Sequence, residues 1–332
     1  MPAHWQTELA DAIRDPAELL RMLELDPAAA SFSAALQFPV RVPRAFVARM
    51  RKRDPADPLL RQVLATDAEL ADMPGFVSDP VGDLASRRHP GVLHKYRSRV
   101  LLITTGACAV HCRYCFRRHF PYQDETARSH DWQAALDYLR SDSGVNEVIL
   151  SGGDPLSLND RQLAGLVADL EAIPNIKRLR IHTRQPVVLP SRVDDALLAW
   201  LGACRLQKVV VLHINHAQEL DAGVAEACAK LHQAGALLFN QSVLLRGVND
   251  SVASLAALSE ALCAAGIIPY YLNLLDRVQG AAHFEVPESE ARQLMRMLRA
   301  ELPGYLMPRL VREIPGASAK QPIPDADVTI KP

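Results

Sequence analysis

Residues 108–120 read CAVHCRYCFRRHF and place three thiols close together, at Cys108, Cys112 and Cys115. A disulfide would leave one of them over. Structural zinc takes four ligands, commonly as two knuckles. This stretch offers Cys112-Arg-Tyr-Cys115 as one knuckle, with no second downstream. His111 adjoins Cys112, a sterically awkward place for a fourth ligand. A [4Fe–4S] cube is held by one thiolate per iron. Three thiolates from one loop would leave one iron open, and an open metal position marks catalysis rather than structure. The spacing C-x3-C-x2-C fits the cluster best. Downstream, SGGDP at 151–155 sets two glycines after a β-rich run, where the backbone can be approached closely.

These groups need elements to bring them together. Up to about residue 95 the pattern is helical and irregular: TELADAIRD, PAELLRMLEL and DPLLRQVL, with Pro58 suited to a first helical turn. MPGFVSDPVGD reads as a loop, and this section shows no chemical motif. From residue 99 the rhythm changes. Strands are expected at 99–104, 146–151, 178–183, 208–215, 237–245 and 268–275. Helical patterns lie between them: DWQAALDYLR, NDRQLAGLVADLEAI, SRVDDALLAWLGAC, a run from Gly223 to Gln233, and SVASLAALSEALCAAG. After the second strand, starts fall about 30 residues apart, the length of one βα unit, so parallel strands follow.

Six such units suit an open doubly wound sheet or a partial barrel. The strands end in polar groups: Thr104 and Thr105, Ser151 to Asp154, His182 to Arg184, His213 to His216, Gln241, Asn273 and Asp276. A barrel gathers its site from many strand ends, whereas an open sheet uses one switch point. The expected fold is therefore α/β, a partial (β/α)6 barrel. The expected division is a helical section over 1–94, the barrel over 95–300 and a C-terminal arm over 301–332.

The 332 residues are 49% apolar and carry a net charge of −1, which gives no reason to expect nucleic-acid binding. MPAHWQTELADAIRD lacks the apolar core of a signal peptide, and no apolar run approaches the ~20 residues that cross a bilayer. A cytoplasmic protein with reduced thiols is expected. Cys204, Cys228 and Cys263 stand alone in apolar surroundings and read as small buried hydrophobes.

The cysteine loop, directly after a first strand, resembles that of the radical S-adenosylmethionine enzymes. The resemblance implies that the open iron binds the amino and carboxylate groups of S-adenosylmethionine, whose reductive cleavage gives a 5′-deoxyadenosyl radical. Ser151, Gly152, Gly153 and Asp154 look like the family's second motif, which holds the amino group of S-adenosylmethionine. His213 and Gln241, at the end of the fourth strand and within the fifth, are further candidate contacts.

From about Lys95 to Pro324 the chain resembles the lysine 2,3-aminomutases, through HKYRSRVLLIT, CRYCFRRHF, SGGDPL, RLRIHTRQPVVLP, NQSVLLRGVND, PYYLNLLDRVQGAAHF and PGASAK. It is closer still to the branch that makes β-lysine for translation elongation factor P, a likeness extending through RVPRAFVARM and DPLLRQVL. Moving an α-amino group to the neighbouring carbon is difficult without a π-system, which pyridoxal phosphate provides on a lysine. Lys320 matches the family's lysine. Arg99 and Lys95 match a phosphate-binding pair of arginines, and Lys95 departs from it by losing the bidentate fork. Arg117 matches the anchor of the substrate carboxylate. Asp276 matches one carboxylate for the distal ammonium. Glu313 stands where free-lysine aminomutases carry aspartate, as expected of the elongation-factor branch.

Ser251 occupies a position where larger aminomutases have a zinc-binding cysteine, so no structural zinc is expected. The resemblance further implies an electron donor such as flavodoxin or ferredoxin, and a separate ligase that attaches β-lysine to elongation factor P. An aminomutase for another amino acid such as glutamate is one alternative, disfavoured by the two acids. A non-catalytic zinc-binding protein is another.

Overall fold

The computed structural model describes residues 3–125 and 132–324. Five short helices come first: α1 (His4–Ala10), α2 (Pro16–Met22), α3 (Phe32–Gln37), α4 (Arg44–Val47) and α5 (Pro58–Arg61). Two strands follow, β1 (Arg87–His89) and β2 (Val92–Tyr96). Strands and helices then alternate: β3 (Arg99–Thr105), α6 (Gln133–Ser141), β4 (Glu147–Gly152), α7 (Asp160–Glu171), β5 (Arg178–Thr183), α8 (Gln185–Val188), α9 (Asp195–Ala203), β6 (Gln207–Leu212), α10 (Ala222–Gln233), β7 (Leu237–Val243), α11 (Val252–Ala264), β8 (Ile268–Asn273), α12 (Glu288–Glu301), β9 (Arg309–Arg312) and β10 (Gln321–Pro322).

The ten strands form one sheet in chain order, with β1 and β10 at its edges, so it does not close. β3 to β9 run parallel, each paired with the next. β1, β2 and β10 add antiparallel ladders at the two ends. β4 is buried at every position, as a strand covered on both faces must be. Its Val148 and Leu150 meet Leu163 and Val167 of α7 in the main core. The crossover helices start where side chains cap them. Asn159, Asp194, Asp221 and Ser251 accept from the backbone N–H groups of Gln162, Leu197, Val224 and Ser254. The sheet curls far enough for Tyr96, at the end of β2, to donate from Oη to Glu313 Oε1, just past β9, at 2.6 Å. This is the partial barrel that the strand spacing implied, with β9 as a seventh parallel strand.

Six expectations need correction. Residues 87–94 were expected in a helical section and instead belong to β1 and β2, which turn at Gly91 (φ 75°). Residues 309–312, expected in an arm, pair with β8. The strand expected over 208–215 ends at Leu212, because side chains take over the next backbone donors: Ile214 N bonds Asn240 Oδ1 and Asn215 N bonds Glu219 Oε1. The strand expected to reach residue 245 likewise ends at Val243, and Leu245 N donates to Asn249 Oδ1. Cys263 is exposed, while Cys204 and Cys228 are buried. Leu255, Leu258, Ser259 and Leu262 form the inward face of α11, and residue 263 falls outside it. The helix expected from Asp131 begins at Gln133, and Asp131 itself lies outside the described residues.

The N-terminal helices build a core of their own around Trp5, Leu19, Leu20, Phe46, Leu59 and Leu60. Ala109 and Val110 of the cysteine loop belong to it. Among the described residues no helix is long and apolar enough to cross a membrane.

Candidate active site

The loop after β3 is held from behind. His111 N donates to Arg41 O (3.0 Å) and Arg113 N to Gln62 O (2.9 Å). The fully buried Arg113 guanidinium makes a two-pronged bond to Glu69, at 2.8 and 2.6 Å. With residues 109, 110, 111 and 113 committed to the N-terminal helices, Cys108, Cys112 and Cys115 face a cavity of about 300 Å³ at the strand ends. Burial pushes the Cys108 thiol up, and lifts Cys115 to about 11. A coordinated metal deprotonates such thiols. Among the described residues no three His, Cys, Asp or Glu side chains converge as the ligands of one ion would. Thiolates that each bind a different iron of one cluster need no such convergence.

The β4 turn packs on this loop backbone to backbone. Gly153 N donates to Thr105 O (2.7 Å) and Asp154 N to Ala107 O (2.8 Å). A Cβ on Gly153 would lie 2.4 Å from Ala107 O, and one on Gly152 2.7 Å from Thr105 O. The glycines thus admit the chain's own backbone as well as bordering the cavity. Asp154 also borders it, yet its carboxylate is engaged by Thr183 Oγ1 and the backbone N–H groups of Leu156, Arg184 and Gln185. It clamps the exits of β4 and β5 together. Ser151 Oγ accepts from Arg117 Nη1 at 3.2 Å.

His213 stacks on Tyr114 at 5.6 Å, with Nε2 2.9 Å from the Tyr114 hydroxyl. Burial, reinforced by Arg184, lowers His213 to about 3, so its imidazole is neutral at pH 7. Gln241 lines the same cavity from β7.

The charged groups meet around β2, β3, β8 and β9. Lys320 Nζ donates to Asn273 Oδ1 at 2.8 Å and lies 3.5 Å from Glu313 Oε2. Burial raises the Asp276 carboxyl to about 6, with Lys320 acting in the opposite direction. Arg99 stacks over the Tyr96 ring at 4.4 Å and, among the described residues, has no carboxylate in ion-pair range. Lys95 is differently placed: its ammonium bonds Asp83 Oδ1 and Val81 O, both at 2.7 Å, and is 3.9 Å from Glu313. Arg117 Nε bonds the other oxygen of Asp83 at 2.6 Å. Burial works against the Arg117 charge, and Asp83 together with Tyr122 and Cys115 more than offsets it. All fifteen residues singled out in the sequence border this one cavity.

Other residues of the site were not singled out. Asp83, buried between Lys95 and Arg117, lies in a stretch read as a plain loop. With Asp79 four residues before it, nothing in the sequence sets Asp83 apart. Arg184, noted only as a polar strand end, donates to Cys112 Sγ at 2.8 Å. Gln62 follows the last residue of α5, remote in sequence, and accepts from Arg184. Nothing in its neighbourhood marks it.

The arrangement is three thiols beside buried guanidiniums, a glycine turn against the thiol loop, and a lysine between acids and an open arginine. Residues 102–258 match the Radical SAM superfamily. The chain is 52% identical to the L-lysine 2,3-aminomutase of Escherichia coli K12, over 96% of this chain and 94% of that protein. It is 48% identical to that of Haemophilus influenzae Rd, again over 96% and 94%. The L-lysine 2,3-aminomutase of Clostridium subterminale is 36% identical over 81% of this chain and 65% of its own length. The radical S-adenosylmethionine fold implies a [4Fe–4S] cluster and S-adenosylmethionine, which the thiol loop and the cavity suit, and the chain is an isomerase belonging to the L-lysine 2,3-aminomutase family.

Proposed function

We propose that this cavity moves the α-amino group of L-lysine to the adjacent carbon, giving β-lysine, with pyridoxal phosphate held by Lys320. The observation that carries the reading is the meeting of Lys320 with Glu313 and the half-buried Asp276 in the cavity that the three thiols line. When bound, S-adenosylmethionine on the cluster of Cys108, Cys112 and Cys115 supplies a 5′-deoxyadenosyl radical, and pyridoxal phosphate lends the migrating nitrogen a π-system.

The chain's own groups bind and orient. Arg117, held in line by Asp83 and Ser151, presents its guanidinium to the substrate carboxylate. Asp276 and Glu313 attract the distal ammonium. A substrate with an acidic tail such as glutamate would meet repulsion there. Arg99 supplies the open cation for a phosphate, and Lys95 adds charge that Asp83 already shares. Ser151, Gly152, Gly153, His213 and Gln241 form the wall for S-adenosylmethionine, with Asp154 fixing the turn beneath. Tyr96 and Glu313 bridge the first and last parts of the sheet, which keeps water from the reacting centre.

Anaerobic incubation of the reconstituted protein with lysine, S-adenosylmethionine, pyridoxal phosphate and a reductant should yield β-lysine. Cluster-loaded protein that forms none would overturn the reading. Lys320→Ala should lose both turnover and the visible absorption of the bound aldehyde, with its iron content intact.

A finer reading is that the chain works in the reducing cytoplasm, receives electrons from a flavodoxin or ferredoxin, and hands β-lysine to a ligase acting on elongation factor P. The likeness through RVPRAFVARM and DPLLRQVL supports it. Elongation factor P from cells lacking this chain should be lighter by the β-lysyl group; an unchanged mass would rule the link out.

A further inference from the structure

Arg184 and Glu219 take no part in the reaction outlined above, yet both are deeply buried beside the thiol loop. The side chains are 6% and 0% exposed. Arg184 Nη1 donates to Cys112 Sγ at 2.8 Å and to the Tyr114 hydroxyl at 2.7 Å. Its Nη2 donates to Gln62 Oε1 at 2.6 Å and to Glu219 Oε2 at 2.9 Å. Asp154 grips the Arg184 backbone N–H at 2.7 Å, so the guanidinium is fixed from both ends. Glu219 Oε1 in turn accepts from the backbone N–H of Asn215 at 2.9 Å and from Gln62 Nε2 at 3.1 Å.

Both terminal nitrogens of Arg184 are bonded twice while its buried Nε has no partner among the described residues, an arrangement set by the groups around Cys112 rather than by packing alone. Each electron added to a thiolate-bound cluster increases its negative charge. Hydrogen bonds to the sulfurs and nearby fixed charges therefore set its reduction potential. Burial keeps solvent and salt from screening them. Arg184 brings a positive charge and an N–H···S bond to one ligand sulfur. Glu219 brings the opposing charge one side chain further away.

We propose that Arg184 and Glu219 form a buried charge couple that sets the reduction potential of the cluster, Arg184 raising it through the Cys112 sulfur and Glu219 lowering it. The proposal rests on the family's cluster and not on lysine as substrate. Both are positioning residues: they act on the cluster through a ligand. The step concerned is the gain of one electron by the cluster from an added low-potential reductant, with no bond made or broken.

The test is a redox titration followed by electron paramagnetic resonance on anaerobically reconstituted wild type, R184Q, R184K and E219Q, with iron and sulfide measured on each. R184Q should be harder to reduce by about tenfold in the equilibrium, which for one electron is about 59 mV more negative. E219Q should shift in the positive direction, and R184K should fall between R184Q and wild type. A purely structural role would move R184Q and E219Q the same way. Loaded R184Q and E219Q that titrate with wild type, or that shift in the same direction, would overturn the proposal. Should R184Q fail to load, E219Q decides alone: no positive shift overturns it. Wild type that reduces normally and yet makes no β-lysine would sink the functional reading and leave this one standing.

Discussion

Burial holds the Asp276 carboxyl near 6 against the pull of Lys320. Below that value it is protonated and attracts no ammonium, so kcat/KM for lysine should fall as pH drops through about 6. The same shift bears on stability. The folded value lies above the ~3.9 of an unfolded aspartate, so between the two the native state binds more protons. This carboxyl's contribution to stability is therefore lost as pH rises through that window. Asp276→Asn should remove the acidic limb and raise KM for lysine about tenfold or more, the scale of a lost charge-assisted bond. Steady-state kinetics against pH checks both, and an unchanged KM would take Asp276 out of substrate binding. Asp83 carries the contrasting lesson. Burial alone would raise its carboxyl, and Arg117 and Lys95 bring it below the ordinary value.

At the scale of elements, the β4 turn and the thiol loop are one unit joined by backbone. Gly153→Ala would drive a methyl group against Ala107 O, so the turn and the cysteines must separate. Iron retention should fall sharply, with about 1–3 kcal/mol of stability lost. Gly165, inside α7 with open space around it, is the control. Alanine there should stabilise by ~0.5–1 kcal/mol in thermal unfolding and leave iron untouched. Alternation of β-branched runs with amphipathic runs made β3 to β8 and their helices readable, since run length and composition mark a strand even where, as in β4, every position is buried. β2 and β9 were not readable because VLHKY and RLVR mix charge with apolar residues, and only the curled sheet explains which way each points. The site followed the same divide. Cysteines and glycines announce themselves by spacing, whereas Gln62, Asp83 and Glu219 gain meaning only from partners far along the chain. Cys263 shows the limit of composition, since its apolar neighbours line one face of α11 and it lies on another. Of the three isolated cysteines, it alone should react with iodoacetamide in the folded holoprotein.

Across the whole molecule, the N-terminal helices act as a buttress for the thiol loop, through Arg113 and Glu69. Arg113→Ala removes the two-pronged bond to the buried Glu69 carboxylate, leaves it the Arg118 guanidinium, and should cost about 1.5–3 kcal/mol in denaturant unfolding, with faster loss of iron on dilution. Unchanged iron retention would show that the loop stands without that support. The bond between Tyr96 and Glu313 joins positions 217 apart. A chain emerging from the ribosome therefore completes its thiol loop long before the residue that ties β2 to the far end of the sheet. Until Glu313 and Lys320 arrive, a metal-bearing barrel would stand open to solvent and oxygen. A break near the C-terminus would leave a radical source without its container, so timely completion of the last strands is a matter of safety for the cell as well as of catalysis.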